Sequence, residues 1–217
     1  MCRRLYVIDD DVEVRESIGM VAADRGFDVR AFSNAQEVLQ EPELPGPGCI
    51  LLDLQMPGID GIALQAHLAE LGTRLPIIVV SGNATVERTI QAFRQGAHDF
   101  MVKPVSPQRL FDRIDELIDQ YSDQVAREQK AAADREKYES LTNRERQVMN
   151  LLVRGMSGKQ IAATLGISYR TMEKFRANVM RKFDLQSVAE LVHAAVRIGL
   201  DVLSDDDLNS LEDLSEA

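Results

Sequence analysis

The apolar positions of the first 120 residues fall into short runs, each followed by a longer stretch in which apolar residues recur with helical spacing. Apart from Arg30 and Asp53 the runs are apolar and do not alternate with polar residues, which is typical of parallel strands covered by helices on both faces. The runs are Leu5–Ile8, Val29–Phe32, Cys49–Leu54, Ile77–Val80 and Phe100–Val102. This pattern predicts an α/β domain with a doubly wound, five-stranded parallel sheet.

The pattern changes near residue 140, after which the apolar residues follow helical spacing alone. Residues that favour helix starts stand at three places in this segment, namely Thr142, Ser157 and Ser168. Thr142 also forms a capping-box pair with Glu145. The last two of these helices are joined by the short turn Leu165–Ile167, which has the length and chemistry of a helix-turn-helix. We therefore predict an all-α, four-helix domain at residues 140–203.

A polar segment connects the two patterns. Pro107 can open the last helix of the α/β domain, and residues 122–139 contain no Gly or Pro and are rich in helix formers. We expect this helix to continue to about Tyr138 as a solvated rod, with a flexible tether as the alternative. The predicted organisation is a first domain at 1–122, a helical linker at 123–139, the helical domain at 140–203, and an acidic, disordered or frayed tail at 204–217.

Charge is distributed unevenly along the chain. The 217 residues carry a formal net charge of −10, but residues 140–203 hold ten Lys and Arg against five Asp and Glu. A basic module within an acidic chain is a weak indication of polyanion binding, and a solvated surface is the alternative. No apolar run approaches the roughly 18 residues that span a bilayer, and the N-terminal residues do not resemble a signal peptide. We expect a cytoplasmic protein without membrane contact.

Polar residues follow four of the predicted strands at the point where each strand ends: Asp9 and Asp10, Asp53, Ser81, and Lys103. The carboxyl ends of parallel strands meet at one edge of the sheet, where functional groups collect. Individually, an acid there can cap a helix or lie in an ordinary loop. Three converging carboxylates repel one another unless a cation compensates, and oxygen ligands suit Mg²⁺. Together these residues predict a site for a divalent cation.

The motifs VIDDD, LLDLQMPGIDG, VVSG and DFMVKP resemble the CheY-like receiver domain of two-component response regulators. The resemblance implies that Asp53 is the phosphoacceptor and that Mg²⁺ is held by Asp9, Asp10, Asp53 and the backbone carbonyl of Gln55. It also implies that Ser81 and Lys103 contact the phosphoryl group, that Phe100 is the aromatic switch residue, and that Lys103–Pro104 is a cis peptide. Gln55 and Asn83 are expected beside the path of the hydrolytic water, and the phosphodonor is expected to be a sensor histidine kinase.

The helical segment is similar to the LuxR-type DNA-binding domain of the NarL/FixJ response regulators, at LTxRE, Ile161–Ala162, the Gly166–Ser168 turn and RxNxMRK. The resemblance implies binding of double-stranded promoter DNA. The residues expected to contribute are Lys159, Ser168, Thr171, Glu173, Lys174, Arg176, Ala177, Arg181 and Lys182. Of these, Lys159, Arg176, Arg181 and Lys182 are predicted phosphate contacts, whereas Glu173, Lys174 and Ala177 are predicted base readers.

Two departures from this family fall on the recognition helix. Met172 and Phe175 replace the usual Val and His and are expected to change packing. The acidic Glu173 is repelled by phosphates, so it either accepts a hydrogen bond from cytosine or turns inward to pair with Arg170 or Arg176.

These features predict a phosphorylation-activated transcription regulator. The receiver is expected to catalyse only its own aspartyl phosphorylation and dephosphorylation, to form a homodimer when phosphorylated, and to influence transcription with RNA polymerase as a further partner. A Mg²⁺-dependent phosphohydrolase with Asp53 as nucleophile is the enzymatic alternative. A DNA-binding protein that uses its receiver only for docking is a third.

Overall fold

The computed structural model describes residues 3–41, 44, 46–82 and 84–200. The chain divides into two compact units, Met1–Val125 and Ala126–Ala217. The predicted tail and residues 201–203 of the predicted helical domain lie outside the described residues.

The first unit is the predicted α/β fold. Its sheet has the order β2-β1-β3-β4-β5, and every neighbouring pair is parallel. The elements are β1 (Arg3–Ile8), α1 (Val12–Asp24), β2 (Phe27–Phe32), α2 (Ala35–Leu39), β3 (Gly48–Leu52), α3 (Gly61–Glu70), β4 (Ile77–Ser81), α4 (Val86–Arg94), β5 (Asp99–Val102) and α5 (Pro107–Glu139). The predicted third strand extended to Leu54, but β3 ends at Leu52, which leaves Asp53 at the start of a loop.

Two hydrophobic clusters cover opposite faces of the sheet. Alternate residues of β1 divide between them, with Tyr6 and Ile8 in one cluster and Leu5 and Val7 in the other. All of β3 and β4 is buried, which explains why these strands are solid apolar runs in the sequence. Each fully buried aliphatic side chain stabilises the fold by about 1.5 to 3 kcal/mol. The core thus fixes the strand ends in position.

Residues 126–139 belong to the second unit, although they were predicted as linker. They form the last part of α5, a 33-residue helix within which the division falls. In this segment Asp134 is buried and its Oδ2 lies 2.7 Å from an Nη atom of Arg197, while Lys137 donates a 2.9 Å hydrogen bond to the Phe183 carbonyl. The helix is continuous as expected, but its final turns are packed in the domain and are not a solvated rod.

The second unit also contains α6 (Asn143–Val153), α7 (Gly158–Leu165), α8 (Tyr169–Phe183) and α9 (Val188–Arg197). The predicted starts are confirmed: Thr142 and Ser157 form capping boxes, and the Ser168 hydroxyl accepts from the Thr171 amide. Gly166 closes α7 with a φ of 63°, a left-handed conformation that glycine adopts without steric cost. The α7–α8 pair is the predicted helix-turn-helix.

No helix in the described part of the chain is long and apolar enough to cross a membrane.

A histidine side chain helps to hold the entry of β4 beside that of β5. The Ile77 amide donates a 3.3 Å hydrogen bond to His98 Nδ1, which can accept only when it carries no proton. Partial burial of the ring lowers the pKa of His98, and the charge of Arg113 acts in the same direction. The folded chain therefore disfavours the protonated imidazole.

We predict that this interaction is lost under mild acid. Because the folded pKa lies below the ordinary 6.5, the unfolded chain binds the proton more readily, and stability falls as the pH drops through this range. His98→Asn, which keeps a side-chain acceptor, should flatten the fall in thermal stability between pH 7.5 and 5.5, and NMR titration of the parent should give His98 a midpoint below 6.5. His67→Asn, on an exposed side of α3, is the control for loss of an imidazole. An unchanged pH slope in His98→Asn would contradict the assignment.

Candidate functional site

The sheet brings two buried acids together. Asp9 and Asp53 follow directly after β1 and β3, which are neighbours, and the Asp53 amide donates to the Ile8 carbonyl at 2.9 Å. Their side chains are buried, whereas the adjacent Asp10 is exposed. Carboxylate oxygens of all three acids lie within 4.8 Å of one another. The three predicted metal-binding aspartates therefore form one cluster.

Lys103 reaches this cluster from the end of β5. Its amide donates to the Ser81 carbonyl at 3.0 Å, and the Lys103–Pro104 peptide is cis, as the resemblance implied. Its ammonium lies 2.6 Å from Asp9 Oδ2 and 2.7 Å from Asp53 Oδ2. One cation is thus shared by two buried carboxylates.

The pKa shifts in the cluster reflect burial and pairing. Burial by itself would lower the pKa of Lys103, but the hydrogen bonds to Asp53 and Asp9 outweigh it and raise that pKa above its ordinary value. Burial raises the pKa of Asp9, and the bonds from Lys103 and the Asp11 amide offset this only in part. Lys103 is therefore a fixed positive charge, while Asp9 has less compensation than its burial requires.

Divalent metal binding fits this charge balance. Three carboxylates and one ammonium leave about two negative charges uncompensated at neutral pH. The donor atoms are all oxygens, which suits a hard cation such as Mg²⁺. The predicted ligand Gln55 lies next to the acid cluster, because its backbone N–H donates a 3.0 Å hydrogen bond to Asp53 Oδ1.

Two residues that shape this site were not singled out from the sequence. Gly61, the first residue of α3, packs so closely that a Cβ atom there would lie 2.3 Å from the Asp53 carbonyl oxygen. Arg15 in α1 donates a 2.7 Å hydrogen bond to the Asp9 carbonyl and so holds the loop that carries Asp9 and Asp10. Gly61 is visible as the last residue of the LLDLQMPGIDG motif, whereas nothing in the local pattern distinguishes Arg15 from other surface arginines.

The predicted switch residues Ser81 and Phe100 lie on the neighbouring strands β4 and β5. Ser81 ends β4 and is fully buried, and Phe100 in β5 is partly buried against the hydrophobic cluster that includes Tyr6. Asn83 lies outside the described residues. On the outer surface of the same region, α4 exposes Val86, Ile90 and Phe93, and β5 exposes Val102.

The recognition helix α8 separates an apolar side from a polar one. Met172, Val179 and Phe183 are buried in the core of the second unit, and Phe175 and Met180 pack partly against it. Lys174, Ala177 and Arg181 are exposed. Their i, i+3, i+7 spacing places them on one face of the helix, opposite the core. Two predicted base readers and one predicted phosphate contact thus share the outer face.

Glu173 is turned away from this face, towards Arg176 and the start of α7. Its Oε1 lies 3.6 Å from Arg176 Nη1 and would lie 3.5 Å from a Cβ atom at Gly158. This oxygen is inaccessible to solvent and accepts no hydrogen bond among the described residues. Of the two roles open from the sequence, the geometry matches the inward-turned ion pair with Arg176.

Lys182 is bonded to residues outside α8, whereas Arg176 and Arg181 are paired with Glu173 and Asn178 on the same helix. The Lys182 ammonium lies 2.7 Å from Glu145 Oε2 and donates a 2.9 Å hydrogen bond to the Ser140 carbonyl. Burial would raise the pKa of Glu145, but the bond from Lys182 and those from Thr142 lower it overall. This lysine ties α8 to the capping box of α6.

Comparisons with known proteins account for both units. Residues 5–115 match the model of the response regulator receiver domain, and residues 139–195 match that of bacterial regulatory proteins of the luxR family. The chain is 40% identical to the transcriptional regulatory protein FixJ of Bradyrhizobium diazoefficiens over 90% of this chain and 96% of that protein. It is 34% identical to the response regulator protein TodT of Pseudomonas putida, over 89% and 86% of the two chains.

Solved structures give the same result. The response regulator StyR matches with a TM-score of 0.77 and 34% identity, over 91% of this chain and all of that one. Full-length FixJ from B. japonicum matches with a TM-score of 0.58 and 38% identity, over 90% and 97%. The chain therefore belongs to the two-component response regulators that join a receiver domain to a LuxR-type helix-turn-helix DNA-binding domain.

Proposed function

We propose that a sensor histidine kinase phosphorylates Asp53 with Mg²⁺ and that the phosphorylated receiver dimerises and promotes binding of the helix-turn-helix to promoter DNA. The observation that carries this proposal is the buried Asp53 carboxylate, which shares the Lys103 ammonium with Asp9 in a chain that also holds a DNA-binding domain. RNA polymerase is the further partner that a transcription regulator of this kind would meet.

The contacts of Asp53 with Lys103 and with the backbone amide of Gln55 support its role as the nucleophile. A carboxylate oxygen of Asp53 forms a bond to phosphorus while the bond from phosphorus to the kinase histidine nitrogen breaks, and the imidazole leaves with that electron pair. Lys103, at 2.7 Å from Asp53 Oδ2, neutralises charge on the transferred group, and the Gln55 amide orients Asp53 through Oδ1. Mg²⁺ held by Asp9, Asp10, Asp53 and the Gln55 carbonyl would compensate the remaining negative charge.

The enzymatic alternative also uses Asp53 as a nucleophile, but it requires rapid release of phosphate. A phosphohydrolase needs a group that activates water, and Gln55, which follows the nucleophile by two positions, is not a base. The intact set of acids and lysine likewise favours a phosphorylated receiver over one used only for docking. These residues support slow hydrolysis of a signalling phosphoaspartate.

We predict that the parent chain accepts a single phosphoryl group from acetyl phosphate with Mg²⁺ and that Asp53→Asn accepts none, as measured by intact-protein mass spectrometry. EDTA should suppress labelling because the acid cluster would lose its compensating cation. Asp11→Asn is the matched control, since Asp11 caps α1 by accepting from the Glu13 amide and is not part of the cluster. Full labelling of Asp53→Asn would refute the assignment.

The exposed apolar side chains of α4 and β5 support this region as the dimer surface. Val86, Ile90 and Phe93 lie on α4 and Val102 lies on β5. Val86 is 76% exposed and Ile90 is 46% exposed. Phosphorylation would draw Ser81 towards the phosphoryl group and give Phe100 space to turn inward, which changes the adjoining surface of α4 and β5. Burying these side chains against a second copy would then be favourable.

We predict that Ile90→Glu abolishes phosphorylation-dependent dimerisation while leaving labelling of Asp53 intact, because a buried unpaired carboxylate opposes association. Sedimentation velocity of the phosphorylated chain should give a dimer for the parent and a monomer for the variant. Met20→Glu, at a position 69% exposed on α1, is the matched control and should still dimerise. A phosphorylated Ile90→Glu dimer of parental affinity would exclude this surface.

For DNA recognition, we propose that Lys174 and Ala177 read bases and that Lys159, Arg176 and Arg181 contact phosphates, with Ser168 and Thr171 at the helix start. Lys174, Ala177 and Arg181 are exposed on the outer face of α8. Glu173 braces Arg176, and Lys182 stabilises the domain through Glu145. A dimer would place two such helices on half-sites about one helical turn apart.

We predict different effects for neighbouring substitutions on α8. Lys174→Ala should cost roughly 1 to 3 kcal/mol of binding and relax preference at one base pair per half-site. Glu173→Ala should change total affinity, because Arg176 loses its brace, while the ranking of sites is preserved. Binding selection on randomised half-sites measures both. An unchanged ranking for Lys174→Ala, or an altered one for Glu173→Ala, would reverse the assignment of the residue concerned.

A further inference from the structure

An exposed aromatic residue begins the recognition helix. Tyr169 is the first residue of α8 and 53% of it is exposed, although it follows directly after the Ser168 cap. Its hydroxyl forms no hydrogen bond with any residue that the structure describes. The polar end of this side chain is therefore available to a ligand.

The ring is held in position by a glycine at the start of α7. A Cβ atom at Gly158 would lie 3.0 Å from Tyr169 Cε2 and 2.3 Å from Met172 Cε, so a side chain at this position would displace one or both of these side chains. Met172 is fully buried, and its packing in the core of the second unit fixes the first turn of α8. Because Cε2 is two bonds from the hydroxyl oxygen, the hydroxyl lies beside the first turn of α7.

We propose that Tyr169 is an additional DNA contact whose hydroxyl donates a hydrogen bond to a backbone phosphate, and that Gly158 positions it. The inference rests on DNA binding by the α7–α8 pair, which Lys174→Ala tests separately, as does Lys159→Gln in the experiment below.

The position of Tyr169 on the helix favours phosphate over base recognition. Tyr169, Glu173 and Arg176 have i, i+4, i+7 spacing and share the flank of α8 that lies towards the start of α7. The base-reading residues Lys174 and Ala177 lie on the outer face instead. Tyrosine hydroxyls and helix N-termini commonly contact phosphate oxygens in protein–DNA complexes. Lys159, in the first turn of α7, supplies a positive charge near the same place.

The hydroxyl can be removed without altering the ring. Tyr169→Phe keeps the contact with Gly158 and should weaken binding by about tenfold per half-site, the typical effect of losing one hydrogen bond to a charged group. The loss should be equal for all selected sites, and the salt dependence should match the parent because a neutral donor displaces no counterion. Tyr138→Phe is the matched control, since the Tyr138 hydroxyl bonds Asn150 inside the same domain at 3.4 Å.

The experiment measures affinity of the full phosphorylated chain for a DNA site obtained by selection and for versions carrying a neutral methylphosphonate at single positions. A methylphosphonate at the phosphate that Tyr169 contacts should weaken DNA binding by the parent but should not weaken binding by Tyr169→Phe any further. Tyr138→Phe should respond to this methylphosphonate as the parent does. Parental affinity for Tyr169→Phe, a changed ranking of sites, or full additivity with every methylphosphonate would each overturn the proposal. If the parent binds no selected DNA and Lys159→Gln changes nothing, the proposed function itself fails.

Discussion

The receiver is organised around one ammonium shared between two buried carboxylates. Asp9, Asp53 and Lys103 come from the ends of β1, β3 and β5, so the parallel strand order brings the Lys103 ammonium to 2.6 Å from Asp9 Oδ2 and 2.7 Å from Asp53 Oδ2. A single lysine cannot satisfy this cluster, which also includes Asp10. The site therefore has a deficit of positive charge, which a divalent cation would compensate before the anionic phosphoryl group is accepted.

The DNA-binding unit contains a similar pairing with the opposite consequence. Glu145 is buried and bonded to Lys182, but here one carboxylate meets one ammonium and the hydrogen bonds of the Thr142 capping box. The charges balance, so the pair fixes α8 against α6 and leaves no charge uncompensated. Both sites contain buried carboxylates and a lysine. They differ in the number of carboxylates for each ammonium, and this ratio distinguishes the acid cluster at Asp53 from the structural pair of Glu145 and Lys182.

Much of this arrangement is predictable from local sequence. Solid apolar runs predict the covered parallel strands, and acids at the ends of two runs predict the cluster, because strand order forces those ends together. The capping pair at Thr142 and the cap residue Ser157 predict helix starts for the same local reason. Features that depend on tertiary packing are harder to predict from the sequence. The inward turn of Glu173, the internal bonds of Lys182 and the docking of Asp134 against Arg197 each join residues through a fold that periodicity alone cannot specify.

In the proposed mechanism, charge compensation at Asp53 controls DNA binding by the other unit. The most direct measurement is the affinity of the full chain for a selected DNA site, by fluorescence anisotropy, before and after phosphorylation with acetyl phosphate and Mg²⁺, with Asp53→Asn alongside. We predict that phosphorylation tightens binding by about 5- to 150-fold, the range of typical allosteric coupling, and that Asp53→Asn shows no change. Equal affinity of the phosphorylated and unphosphorylated parent would contradict the account.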